Sequence, residues 1–568
     1  MFEPVPDQVG GSLVLSALCG ALPLITMFVL LGGLKMKAWQ AGLISLTVAL
    51  VVAVALFEMP VDDAILSAAQ GALLSGFFPI MWIVINAVFV YNLTVHTGHF
   101  DVLRRAFSKV SDDQRIQALI IAFSFGALLE ALAGFGTPVA ITVVMLMAMG
   151  FKPVKAAAVA LIANTAPVAY GAMASPINAL SDQTGFSVEA LGAMVGRQTP
   201  VLAVVVPLIL VFVVDGRRGL RQTWLPALLC GLGFGIAQFV ASNYISVPLA
   251  DIVASLFSVV VVVGLLRVWQ PREKVPAESL VGATAGSSGG AASGAPSGAP
   301  SGAPSGAASG DGGGEVRDSS REVFKAFLPY AIIIVIFVIV SVPAIKEALA
   351  HRPFTLSGTD YTPTVVFPGL GDVAGAQGGF KFDWFPAAGT MLLLSGLITA
   401  ICLRIRPGAV ATTYRDTYRQ LAPAIVTVMA VLGLAYVMNF SGQTGSIGAW
   451  LAGTGSAFAV LSPILGWLGV AVTGSDTSSN ALFGLLQVTT AKEAGLDQVL
   501  MAASNSSGGV LGKMVSPQNL AIAAAAVGMA GKEGEIFRKV FGWSIAMLAF
   551  MCVLVALQST PVLGWMVP

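Results

Sequence analysis

Three ionisable residues stand inside stretches that are otherwise almost wholly apolar, and each is of a type that can move or hold charge. Glu130 lies in FGALLEALAGFGTP, Asp476 in TGSDTSSN and Lys513 in GGVLGKMVSP. A carboxyl at membrane depth is rare and can take up and release a proton, so Glu130 and Asp476 are the candidate proton carriers. The plainer readings are a salt-bridged structural carboxylate for Glu130 and a helix cap for Asp476, since Asp followed by Thr and Ser is good N-cap chemistry. Lys513 could pair with a substrate carboxylate, with Glu130 or with Asp476; its alternative is snorkelling to the interface. Around these charges stand Thr137, Asn164, Thr165, Thr477, Ser478, Ser479, Asn480, Asn505 and Ser506, whose hydroxyls and amides could select a small hydroxy acid by hydrogen bonding. Single residues of this kind are common packing glue between membrane helices. Here they are clustered, and the cluster is repeated.

The repeat is visible by eye. ANTAPVAYGAMASPINA, starting at Ala163, recurs as SNSSGGVLGKMVSPQNLA from Ser504. Asn164, Gly171, Ser175, Pro176 and Asn178 match Asn505, Gly512, Ser516, Pro517 and Asn519 at one constant offset. Both copies sit in long apolar stretches, where unwound backbone survives only against protein or a water-filled cavity. Two further interruptions, Gly134–Pro138 and Thr473–Asn480, have the composition of hairpin tips. Each of the four would present helix N-terminal N–H groups, whose partial positive charge favours an anion. Four such ends meeting near the bilayer midplane would make a carboxylate site of the kind transporters use.

The elements that must position these residues follow from composition. Of 568 residues, 56% are hydrophobic and 10% charged, with mean hydropathy +0.85. A soluble domain carries about 25% charged residues, so this is an integral membrane protein. Apolar runs of about 20 residues separated by short polar loops indicate helices rather than a barrel. A net charge of +1 gives no reason to expect nucleic acid. Cys19, Cys230, Cys402 and Cys552 lie apart in apolar runs and read as core residues. His96, His99 and His351 fall in loops, so neither a metal site nor a cofactor is expected. Arg197, in an external segment, reads as a surface cation. The opening MFEPVPD is acidic and does not suggest a cleaved signal peptide.

Loop charge orients the chain, because cationic clusters favour the cytoplasmic side. The clusters are Arg104, Arg105, Lys109 and Arg115; Arg217, Arg218 and Arg221; Arg404, Arg406, Arg415 and Arg419; and Lys532, Arg538 and Lys539, with Lys35 and Lys37 weaker. The segment from Lys346 to Asp383 reads as external. Parity closes with re-entrant hairpins at 117–150 and 455–492. The expected fold is therefore an all-α membrane protein of about 12 transmembrane helices plus two re-entrant hairpins in two inverted repeats. The first repeat covers 1–214, with its tip near 134–138 and a broken helix near 171–178. Two connecting helices fill 215–270, and a cytoplasmic Gly/Ser/Ala/Pro linker fills 271–325, with its SGAP units inside 282–314. The second repeat covers 326–568, with its tip near 474–480 and a broken helix near 508–519. The linker is too polar and Gly-rich to bury apolar area and reads as a flexible spacer.

EALAGFGTPVAIT (130–142), LIANTAPVA (161–169), TGSDTSSNAL (473–482) and GGVLGKMVSPQ (508–518) closely resemble the L-lactate permease family. The motifs are long and spread over most of the chain. The resemblance implies proton-coupled uptake of lactate, often with glycolate and other small 2-hydroxy monocarboxylates, across the plasma or inner membrane. It also implies kinship with the wider ion-transporter superfamily, whose members use two re-entrant hairpins, often with an elevator-type movement. Glu130, Asn164, Asp476 and Lys513 stand where the family motifs place them. The linker and the 346–384 segment depart from the family, and Asn178 and Asn519 are the weaker candidate ligands.

Other readings stay open at this stage. Na⁺-coupled carboxylate transport on the same fold is the alternative, since backbone carbonyls and Asn, Ser and Thr oxygens are suitable sodium ligands. An enzyme is disfavoured: there is no intramembrane Ser/His pair, paired GxGD-type aspartates or HExxH. No ring or filter motif supports a channel. The expected partners are a monocarboxylate, H⁺ and the lipid bilayer. Whether the chain forms a homo-oligomer is left open.

Overall fold

The computed structural model describes residues 2, 4–273 and 319–568, apart from positions 35, 109, 112, 135, 272, 342–344, 346–363, 366–379, 382–386 and 530–531. The 282–314 linker and most of the expected external segment from Lys346 to Asp383 lie outside the described residues, as do Phe135 of the first tip, Lys35, Lys109 and His351.

The described chain is helical. The only strands in it are Thr364–Val365 and Phe380–Lys381, paired antiparallel with Thr364 opposite Lys381. Helix is what the composition demands, because apolar surroundings leave backbone N–H and C=O groups no partners outside their own segment. Among the described residues ten helices are long and apolar enough to cross a membrane, eleven if one bent pair counts as a single span. The expectation of about 12 differs from this in several places. The ten include Gln114–Leu132 and Gly455–Thr473, expected as hairpin arms, while the span expected at 498–528 is divided into Gln498–Gly512 and Pro517–Ala526. The stretches at 198–214 and 222–241 run together within Val188–Ile245, leaving helical geometry only at Asp215, Gly216 and Thr223. The helix expected over 386–404 is Ala388–Cys402, whose 15 residues make it shorter than the other spans.

At the centre lies the continuous helix Gln114–Leu132, buried along its whole length. The long helix Thr199–Val240 and the helix Ala250–Leu266 pack against it, with Phe123 and Phe234 rings 5.0 Å apart. Its start is held by Arg115, which is fully buried. The guanidinium donates to both carboxylate oxygens of Asp113 (3.0 and 2.7 Å), to Asp215 (3.2 Å), to Gln222 (2.7 Å) and to the Glu273 carbonyl (2.6 Å). A buried cation is tolerated only when its donors are matched in this way. Arg115, counted above as a loop cation, is thus an internal clamp that fixes the entry of the helix carrying Glu130.

Each tip joins two packed helices. Gln114–Leu132 is followed by Thr137–Ala148, with Gly136 at φ +81° as the cap between them. Phe458–Thr473 is followed by Asp476–Glu493, with Gly474 at φ +76°. Positive φ costs an L-residue roughly 1–2 kcal/mol, which glycine avoids. The first repeated segment forms Pro153–Ala163 and Val168–Thr184, bent by 65°. The second forms Gln498–Gly512, a 3₁₀ turn Lys513–Val515, and Pro517–Ala526.

Candidate functional site

Glu130 comes near the end of the buried central helix and is itself 2% exposed. Lys513, 6% exposed, donates from Nζ to Glu130 Oε1 at 2.5 Å. Asn164 donates from Nδ2 to Oε2 at 3.0 Å, so both carboxylate oxygens are occupied. Space for the carboxylate is made by Gly171, where an added Cβ would lie 2.8 Å from Oε1. Three elements distant in sequence therefore meet on one carboxylate: the central helix, the first broken span and the second. Snorkelling does not describe Lys513, whose ammonium is turned inward.

Asp476 forms a second cluster. It is 3% exposed and accepts a hydrogen bond from the Ser506 hydroxyl at 2.6 Å through Oδ2, while Oδ1 is buried without a partner. The capping role falls to its neighbour, since the Ser475 hydroxyl accepts from the Ser478 N–H at 3.3 Å. Oδ1 faces Gly509, where a Cβ would lie 2.4 Å away. Asn505 donates to Asn480 Oδ1 (2.9 Å) and more weakly to the Ser479 hydroxyl (3.5 Å). Asn480 donates in turn to the Pro176 carbonyl (3.0 Å), and the Thr477 and Ser175 hydroxyls lie 3.4 Å apart. The second tip is thereby stitched to the first broken span.

Asn519 ties the two tips to each other. Its Nδ2 donates to the Ser516 hydroxyl (2.8 Å), the Lys513 carbonyl (3.3 Å) and, at long range, the Gly474 carbonyl of the second tip (3.5 Å). On its other side, a Cβ built on Gly136 of the first tip would stand 3.6 Å from Asn519 Oδ1 and 2.3 Å from Ile522. The four interruptions thus lie in mutual contact around 513–519.

Backbone strain is concentrated at one of them. Ala172, Met173 and Ala174 have φ of +43°, +55° and +61°, three successive L-residues in the left-handed region, all buried. At about 1–2 kcal/mol each, such a turn persists only where its surroundings enforce it, and strain of this kind gathers at functional sites. At the same offset in the second copy, Lys513, Met514 and Val515 form an ordinary right-handed 3₁₀ turn. Lys513 therefore occupies the position that Ala172 holds in the first copy.

The other candidates are placed less centrally. Thr165 donates to the Ile162 carbonyl at 2.7 Å, and Ser478 is buried behind its cap. Thr137 is partly exposed at the start of its helix. Among the described residues no hydrogen bond joins the Thr137, Thr165 or Ser478 side chain to the Glu130 cluster. Asn178 donates to the Ala174 carbonyl (2.8 Å) and braces the strained turn. Arg197 is a structural tie, donating to Asn243 (3.1 Å) and to the Met566 carbonyl (2.9 Å). His99 meets Thr97 at 2.9 Å, and no group of potential metal ligands occurs among the described residues.

Several polar residues were not among the candidates. Gln487 donates to Asn505 Oδ1 (3.0 Å) and to the Ser462 carbonyl (3.1 Å), fixing which face Asn505 turns to Asn480. Asp251, fully buried, accepts from Gln238 at 2.7 Å and leaves Oδ2 unpartnered. As the only charge in the apolar run 247–266, Asp251 had a readable signal. A lone Gln has none.

Ten or more apolar spans around a buried, charged centre of interrupted helices define a multi-pass permease of the cell membrane rather than an enzyme. Residues 16–562 match the family model described as L-lactate permease. The chain is 39% identical to the L-lactate permease of Bacillus subtilis, with 99% of this chain and 98% of that protein aligned. It is 39% identical to the L-lactate permease of Salmonella typhimurium and 40% identical to the glycolate permease of Escherichia coli, each over 98% of both chains. The chain belongs to the L-lactate permease family. Among solved structures it resembles the YdaH transporter of Alcanivorax borkumensis, at 14% identity over 86% of each chain with a TM-score of 0.41.

Proposed function

We propose that the protein is a proton-coupled symporter of L-lactate and related small 2-hydroxy monocarboxylates such as glycolate. The observation that carries this reading is the buried Glu130–Lys513–Asn164 cluster at the meeting point of the four interruptions. With no substrate bound, Glu130 and Lys513 neutralise each other. Protonation of Glu130 removes its claim on Lys513, whose ammonium then becomes the partner of an incoming carboxylate. The occupied site holds a neutral Glu130 and a Lys513–carboxylate pair, so its net charge is that of the empty site. Proton and anion cross together because either alone would leave an uncompensated charge at low dielectric. The unpartnered Oδ1 of Asn164 is an acceptor suited to a 2-hydroxyl group. Asp476 with Ser506 is the second proton-accepting position. The helix pairs 117–150 and 455–492 act as re-entrant hairpins in inverted repeats 1–214 and 326–568, and give access to the site from alternate sides. The names of the relatives support the substrate class.

The test is uptake of labelled L-lactate into sodium-free proteoliposomes under an inward proton gradient. Wild type is expected to accumulate lactate in a manner an uncoupler abolishes, whereas Glu130→Gln exchanges lactate without accumulating it. Equal accumulation by both would move the proton to Asp476. A wild type indifferent to the proton gradient but driven by sodium would replace proton coupling with the sodium reading.

A further inference from the structure

One buried acid takes no part in the Glu130 or Asp476 clusters. Asp251, in the first turn of Ala250–Leu266, is fully buried. Its Oδ1 accepts from Gln238 Nε2 at 2.7 Å, and its Oδ2 is buried without a partner. The Gln238 amide is oriented from its other end, where Oε1 accepts from the Thr199 hydroxyl at 3.1 Å. Gln238 is thus a fixed, neutral donor, and it is the one hydrogen-bond partner of Asp251 among the described residues. A permanent carboxylate in this setting would be an uncompensated charge at low dielectric. A carboxyl that holds a proton and hands it on suits the setting better.

Asp251 stands between Glu130 and the outer surface. Its helix packs against Gly126–Leu132, and the Asp251 and Glu130 carboxyls are close enough to interact electrostatically. Asp251 also interacts electrostatically with Tyr170, which is fully buried and adjoins Gly171, the residue pressed against Glu130 Oε1. Cys230, on Thr199–Val240, faces Ser124 at 3.7 Å instead. The Tyr170 hydroxyl donates to the Gly192 carbonyl at 2.7 Å and lies within hydrogen-bonding reach of Ser242. Gly196 leaves room for these two hydroxyls: a Cβ there would lie 2.9 Å from the Tyr170 oxygen and 2.0 Å from that of Ser242. Ser242 accepts in turn from Asn243 Nδ2 at 3.2 Å, and the next residues, Tyr244 and Ile245, are exposed. By loop charge this turn, between the spans expected at 222–241 and 244–267, faces outward.

We propose that Asp251 is the relay through which protons from the outer side reach Glu130. The proton leaves Asp251 Oδ2 for a Glu130 carboxylate oxygen, which releases Lys513 to the substrate. Asp251, now the carboxylate, regains a proton from the outer side past Ser242 and Tyr170. This inference rests on the proton-symport reading and adds the route by which its proton arrives.

The test compares two modes of transport in sodium-free proteoliposomes, for wild type and Asp251→Asn. One is accumulation of labelled L-lactate under an inward proton gradient; the other is lactate exchange at equal pH on both sides. Asparagine keeps the shape of the side chain and the acceptor for Gln238, but it cannot pass a proton. Accumulation is expected to fall by roughly a hundredfold, the low end of what a positioned proton-transfer group contributes, while exchange and its KM for lactate keep their wild-type values. Equal accumulation by Asp251→Asn and wild type would overturn the relay and leave Asp251 a structural acid. Accumulation and exchange falling together would overturn it as well, as the mark of a folding or binding defect. A wild type that exchanges lactate but ignores the proton gradient would overturn the symport reading itself and the relay with it. That result is read from wild type alone, so the two failures are distinct.

Discussion

Removing one partner of the Glu130–Lys513 pair leaves the other buried and charged, so the pair makes a prediction about stability as well as transport. Lys513→Gln should cost about 3–5 kcal/mol, seen as a lowered unfolding temperature in detergent. Adding Glu130→Gln to that variant should restore most of the loss without restoring transport, because it removes the stranded charge. If the double variant is as unstable as Lys513→Gln alone, the pairing is not what holds these helices. At this scale Glu130, Asp476 and Lys513 were legible because a charge in an apolar run is conspicuous. Asn519 and Gln487 were not, since an amide announces nothing until its partners are known. The same applies to which acid Lys513 serves: proximity along the chain favours Asp476, but the fold delivers Glu130.

Among elements, the second helix pair and the second broken span are packed closely against each other. Gly466 is the point of closest approach, where a Cβ would lie 1.9 Å from the Asn505 carbonyl oxygen, a backbone atom that cannot swing aside. Gly466→Ala should therefore destabilise by about 1–3 kcal/mol or more, as the helix bearing Asn505 and Ser506 is pushed off the tip. Gly542, inside the helix Glu533–Gln558, has nothing within 4 Å of its Cβ position, and Gly542→Ala should stabilise by about 1 kcal/mol through helix propensity. Thermal unfolding of the two variants side by side checks both signs. The repeat itself was legible as matched Asn, Gly, Ser, Pro and Asn positions. Its two copies nevertheless take different backbones, because Ala172 packs directly beside Gly134 while Lys513 must reach Glu130.

For the whole molecule, the long Gly/Ser/Ala/Pro stretch separates two halves that both contribute to the proposed site: Glu130 and Asn164 come from the first, Lys513 and Asp476 from the second. Replacing 282–314 with an unrelated Gly/Ser sequence of equal length should leave the rate of lactate uptake in proteoliposomes unchanged. A severalfold loss would assign that segment a role beyond joining the halves. A clean cut there, with both halves co-expressed, relies on the same contacts to reassemble the site.

Sequence alone determined that the chain is a helical membrane protein and that it belongs with the L-lactate permeases, and it marked four polar interruptions as the candidate site. These follow from quantities summed or matched along the chain, namely apolar run length, scarcity of charge and motif identity. Tertiary structure decided the pairing of Lys513 with Glu130, the bridging of both tips by Asn519, the inward clamp of Arg115 and the left-handed turn at Ala172–Ala174. Each depends on contacts between residues tens to hundreds of positions apart, or on strain that only the surrounding packing can enforce, and neither has a local signature in the order of the amino acids.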